Sequence, residues 1–131
     1  MIIFKNTWFD RFAGREGITD DNLRTVVEQI NAGHSCADLG GGVYKVRVAR
    51  PDGGKSRGYR VIVFFRSGER AFFHYAYPKS SLRNISQQEL KVFRKIAKDK
   101  LAMTGAELAK AVRVGELIEI QEATWNTGAR H

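Results

Sequence analysis

The sequence predicts an α+β domain: a small, mostly antiparallel β-sheet with N-terminal helices packed on one face and further helices after it. Three observations predict this. Apolar residues recur at helical spacing from Leu23 to Ile30, three segments rich in β-branched and aromatic residues occupy positions 43 to 77, and two capping-box spacings follow, at Ser86 to Glu89 and Thr104 to Glu107. Helices, then strands, then helices is the order of an α+β chain, not of an alternating α/β one.

In chain order, Ile2, Ile3 and Phe4 read as a short first strand. Asn6 to Ala13, with Trp8, Phe9 and Phe12 at helical spacing, reads as a short helix ended by Gly14. In the next helix Thr19 or Asp20 serves as cap, acidic residues fill the first turn, and Leu23, Val26, Val27 and Ile30 form one stripe before Gly33. Gly40-Gly41-Gly42 opens a strand from Val43 to Ala49. Its side chains alternate, with Lys45 and Arg47 on one face and Tyr44, Val46 and Val48 on the other. A glycine-rich loop, Arg50 to Gly58, leads into Tyr59 to Arg66, which is apolar on both faces and so belongs in the middle of the sheet. Ser67-Gly68-Glu69 turns the chain into Arg70 to Tyr77, and Pro78 ends that strand. Leu90, Phe93, Ala97 and Leu101 stripe the third helix, and Leu108, Ala111 and Val112 the fourth. After Gly115, Leu117, Ile118 and Ile120 suit a last strand or a partner surface. Residues 1–120 form a single domain in this reading, and 121–131 a loose tail.

Charge points to the kind of partner. Of 22 Lys and Arg, nine fall between residues 45 and 79 (Lys45, Arg47, Arg50, Lys55, Arg57, Arg60, Arg66, Arg70 and Lys79), opposed there only by Asp52 and Glu69. The remainder of the chain is nearly balanced. A positive field this concentrated attracts phosphate, whereas charge placed for solubility is mixed in sign. Helices burying one sheet face leave the other free to present Lys45 and Arg47, with aromatics beside them to stack on unpaired bases. Single-stranded RNA suits this better than duplex DNA, for which no recognition helix is evident.

Other chemistries find little support. One cysteine, Cys36, and three histidines give no zinc-like spacing, and no metal or cofactor is expected. Gly53-Gly54-Lys55-Ser56 echoes a phosphate-binding loop, but a strand follows where a helix is needed. No apolar run is long enough to span a membrane, and Met1 to Lys5 lacks the features of a signal peptide, so a cytoplasmic location is expected. Cys36 and both tryptophans read as packing residues.

The basic strand Val43-Tyr44-Lys45-Val46-Arg47-Val48, the Gly58-Tyr59-Arg60 that opens the next strand, and Phe64 to Phe73 with Lys79 resemble the RelE/HigB toxins of bacterial type II toxin–antitoxin systems (the RelE/ParE superfamily). The resemblance runs in order over most of the chain. It implies a toxin that enters the ribosomal A site, cleaves mRNA there without a metal, and is neutralised by a cognate antitoxin, often one with a helix-turn-helix domain. By position, Lys45, Arg47, Arg60 and Lys79 match the family's catalytic cations. Arg47 and Arg60 are expected to stabilise the phosphate and Lys45 to transfer a proton. Further RNA contacts are expected at Lys55, Arg57, Arg66, His74, Tyr75 and Tyr77. The tyrosine that RelE carries after its last strand has no counterpart in Ser80 to Ile85, leaving Tyr75, Tyr77 or His74 to substitute. A ParE-like inhibitor of DNA gyrase without nuclease activity and a non-enzymatic RNA-binding module are the alternative expectations.

Overall fold

The computed structural model describes residues 1–49, 58–79 and 84–121. Within them the order is β1 (Ile2–Asn6), α1 (Thr7–Glu16), α2 (Asp20–Ala32), β2 (Cys36–Asp38), β3 (Val43–Val48), β4 (Tyr59–Arg66), β5 (Arg70–Pro78), α3 (Gln87–Leu101), α4 (Gly105–Arg113) and β6 (Leu117–Ile120). The strands form one six-stranded sheet in the order β2-β3-β4-β5-β1-β6. It is a mixed sheet, which corrects the expectation of a mostly antiparallel one. β1 runs parallel to β5 and antiparallel to β6, because α1 and α2 carry the chain away before β2 begins the antiparallel β2-β3-β4-β5 meander.

Local chemistry explains the helix ends. Asn6 caps α1 by accepting from the Phe9 N–H at 2.7 Å, and the helix runs through Gly14 to a left-handed Gly17. Gly14 therefore does not end α1 as its residue type suggested; the stop is one turn later, where Gly17 at φ 73° lets its N–H reach the Ala13 carbonyl. Thr19, Ser86 and Thr104 each close a reciprocal capping box on α2, α3 and α4. The three-residue β2 was not expected, since Cys-Ala-Asp carries no β-branched or aromatic signal. It forms by pairing with Tyr44 to Val46 of β3.

Helices cover both faces of the sheet, so the expectation that one face stays free of them is corrected. On one face, Phe9, Phe12, Leu23, Val26, Val27 and Ile30 of α1 and α2 pack on Val46, Val61, Val63 and Phe73. On the other, Ala97, Leu101, Leu108 and Ala111 of α3 and α4 pack on Val43, Ile62, Phe64, Phe72 and Phe4. β4 lies between β3 and β5 and supplies fully buried side chains to both layers, as its unbroken apolar run requires. A buried lysine ties the first layer together: Lys5 Nζ on β1 meets Asp10 of α1 at 2.8 Å and Asp20 of α2 at 3.1 Å. No helix among the described residues is long and apolar enough to cross a membrane.

Candidate functional site: a cationic cleft on the half-covered sheet face

The face under α3 and α4 is covered along only part of its length, and strand register shows where the cover stops. Residues paired across antiparallel strands point to the same face. One row across β3, β4 and β5 is Val43, Phe64 and Phe72, all buried beneath the helices. The next row is Lys45, Ile62 and Tyr75, and the row beyond it is Arg47, Arg60 and Tyr77. The face thus changes from apolar to cationic and aromatic within about 7 Å of strand. α3 is held over the apolar end by Arg94, whose Nε donates to the Leu39 carbonyl at 3.0 Å, and by Arg66, whose Nη1 donates to the Leu101 carbonyl at 3.1 Å.

A β-bulge decides which aromatics join the cations. Ala71 and Phe73 of β5 face the α1/α2 core, and plain alternation would send Tyr75 and Tyr77 there too. The register slips between Ile62 and Val63, where His74 is the extra residue. That single insertion turns Tyr75 and Tyr77 to the opposite face, in line with Ile62 and Arg60.

Lys45, Arg47 and Arg60 line one open cleft of about 340 Å³ together with Ser35, Cys36 and Ala37. Lys79 lies in an adjoining cleft of about 250 Å³ that shares Ser35 and Arg47 with the first, and its N–H donates to the Gly58 carbonyl at 2.7 Å. The four cations matched to the resemblance therefore gather around Arg47. Among the described residues, no carboxylate lies within ion-pair distance of any of them. Arg60 Nη1 is buried and has no hydrogen-bond partner. A buried guanidinium N–H left unpaired costs about 1–3 kcal/mol or more, a cost that an anion in the cleft would remove. The wall opposite Arg47 is unusual backbone: Ser35 has φ 55°, the one non-glycine residue with positive φ among those described, and its carbonyl accepts from the Arg47 N–H at 3.5 Å.

Other expected contacts lie elsewhere. Arg66 is six residues along β4 from Arg60, roughly 20 Å away, where it pairs with the end of α3 and with Glu69 at 3.7 Å. His74 is packed in the apolar half, its ring 4.7 Å from Phe64 and 5.5 Å from Phe93 between centroids. Burial lowers its pKa from 6.5, and the nearby Lys100 lowers it further. Tyr77 is buried at 5% exposure, in register with Arg60 on the neighbouring strand, while Tyr75 is half-buried. Lys55, Arg57, the rest of the 50–57 loop, residues 80–83 and all of the expected 121–131 tail beyond Gln121 lie outside the described residues.

Two features escaped the sequence reading. Ser35, Cys36 and Ala37 enter the cleft only because β2 pairs with β3, for which composition offered no sign. Trp8, expected to be a packing residue, is 42% exposed. Cys36 does pack partly on the α1/α2 core, as expected.

No curated protein matches the chain. The protein-family model that does match is described as the RelE toxin of the RelE / RelB toxin-antitoxin system, and it spans residues 1–120. With all but the last eleven residues inside that match, the chain belongs to the RelE toxin family: it is a toxin of a toxin–antitoxin system, and a cognate antitoxin is its partner.

Proposed function

We propose that this toxin is an endoribonuclease that cleaves mRNA in the ribosomal A site and so arrests translation. The observation that carries the reading is the unpaired, buried Arg60 Nη1 beside Arg47 and Lys45 in an open cleft with no opposing carboxylate among the described residues. Such a cleft suits a phosphodiester, whose non-bridging oxygens would complete Arg60's hydrogen bonding.

The chemistry follows from the residues. The ribose 2′-oxygen attacks the adjacent phosphorus and the bond to the 5′-oxygen of the next nucleotide breaks, leaving a 2′,3′-cyclic phosphate and a 5′-hydroxyl. Negative charge builds on the phosphorane oxygens, and Arg47 and Arg60, in register on neighbouring strands, stabilise it. Lys45, one row away on the same face, takes the proton of the attacking 2′-oxygen and returns it to the departing 5′-oxygen. Lys79 adds charge from beyond Arg47 and holds the flanking backbone. Tyr75 and Tyr77 continue the rows of Lys45 and Arg47 onto β5. Lys55 and Arg57 stand close in sequence to the cleft strands and are proposed as further phosphate contacts.

The test is translation in vitro with purified protein, followed by primer extension on the message. Defined cleavage sites at ribosome-occupied codons, lost in Arg60→Ala, are the expected result. Intact message with halted supercoiling by gyrase would replace this reading with gyrase inhibition. Message bound but never cut would leave a binding module.

A further inference from the structure

The aromatic side chains do not end at the cleft. Trp8, near the start of α1, lies beside β5 beyond the point where β1 stops pairing with it at Phe73. Its indole stacks on Tyr75, with ring centroids 4.8 Å apart and planes 28° apart, and on Phe12 at 5.3 Å and 9°. Phe12 in turn meets Tyr59 edge-on at 5.3 Å. Trp8 is fixed in place by these contacts, yet it is 42% exposed, while every other aromatic ring of Phe or Tyr among the described residues is buried or half-buried. An apolar ring of this size, held rigid and left in water, gains most from a flat partner.

Its neighbours indicate which partner. Tyr75 shares its row with Lys45, so Trp8 continues the cationic half of the face past the edge of β5. On α1 itself, Arg11 and Arg15 follow at i+3 and i+7, the spacing of one helix stripe, and both are exposed. Neither forms an ion pair with a described residue. An aromatic ring flanked by cations on either side is the pattern that holds single-stranded nucleic acid, with bases on the ring and phosphates on the charges.

Building on the proposed ribonuclease reading, we infer that Trp8 is a base-stacking subsite for RNA, and that the strand leaves the cleft over Tyr75 and Trp8 toward Arg11 and Arg15. Bound there, a nucleotide flanking the cut would orient the scissile phosphate toward Arg47 and Arg60. Trp8 then acts on substrate binding and reading frame, and is not a proton-transfer group.

The test uses the full chain carrying Trp125→Phe, which leaves Trp8 the sole tryptophan. The probes are a short 2′-O-methyl oligoadenylate, which cannot be cleaved, an abasic strand of equal length, and inorganic polyphosphate. Oligoadenylate is expected to quench Trp8 fluorescence, and the other two are expected to bind without quenching. In a separate binding assay, Trp8→Ala should weaken oligoadenylate about tenfold, within the range for one stacked base. It should leave polyphosphate affinity unchanged, which also reports an intact fold, and Trp8→Phe should recover part of the loss. Equal oligoadenylate affinity in wild type and Trp8→Ala, without quenching, overturns the subsite and leaves the cleft reading standing. Absence of any oligoadenylate binding to the wild type overturns the subsite, and cleavage of ribosome-bound message then decides the cleft reading separately. Loss of antitoxin binding in Trp8→Ala with RNA affinity unchanged assigns the indole to the protein interface and overturns the inference.

Discussion

Arg47 and Arg60 sit opposite each other on β3 and β4, two like charges in register, with Arg60 Nη1 buried and unpaired. Like charges directly across a sheet are destabilising, so stability alone does not account for the pair. Arg60→Met, which keeps the stem and removes the charge, is expected to leave the unfolding midpoint unchanged or raise it. The same variant should lower message cleavage by about 100-fold or more. Thermal unfolding and primer extension measured on one preparation check both halves.

An anion that satisfies Arg60 should stabilise the folded protein by mass action. Inorganic phosphate at about 100 times its dissociation constant would add roughly 2.7 kcal/mol. The wild type should therefore melt higher as phosphate rises at constant ionic strength, while Arg60→Met should follow only the general salt trend. Parallel curves for the two proteins would remove the cleft as an anion site.

His74 supplies a pH dependence whose sign is set by its surroundings. Asn6 Nδ2 of β1 faces its Nδ1 at 3.4 Å, Phe64 of β4 and Phe93 of α3 enclose the ring, and Lys100 of α3 adds positive charge. The folded pKa lies below 6.5, so as pH falls from about 6.5 the unfolded chain takes up a proton before the folded one does. Stability is full above that pH, declines below it, and levels once the folded ring also protonates. Urea midpoints across this range should show the decline in the wild type and a shallower one in His74→Gln.

Lys5 is the main charged group inside the first helix layer. Burial by itself would lower its pKa, but the hydrogen bonds and charges of Asp10 and Asp20 outweigh that and raise it. Both carboxylates are nearly half-exposed, which limits the loss in Lys5→Met to roughly 1–3 kcal/mol by urea unfolding. Because the folded pKa is above the ordinary 10.5, the contribution of the pair persists through neutral pH and disappears only as pH rises through the folded value.

Gly58 allows β3 and β4 to approach just where Arg47 and Arg60 face each other. A Cβ there would lie 2.5 Å from the Val48 carbonyl oxygen, a backbone atom that can move only with its strand. Gly58→Ala should therefore cost about 1–3 kcal/mol and also reduce cleavage, since the strand shift reaches both arginines. Unchanged activity in a destabilised variant would mean the cleft tolerates that shift.

Much of the fold was legible along the chain, because each local signal has a local cause. The Thr19, Ser86 and Thr104 caps satisfy N–H groups three residues away, and the unbroken apolar run of β4 needs cover on both sides wherever it is placed. Lys45 and Arg47 share a face by alternation alone. The elements, the cationic stretch and the family resemblance could therefore be read along the chain. Tertiary structure decided which charges meet. The His74 bulge sets the phase of Tyr75 and Tyr77, and a one-residue slip that reverses a face leaves no mark in composition. The seat of α3 sends Arg66 to a helix end and leaves Arg60 in the cleft, and the stop of β1 leaves Trp8 exposed beside β5. Those outcomes depend on contacts between segments far apart in the chain, where residue type gives charge and size but not neighbours.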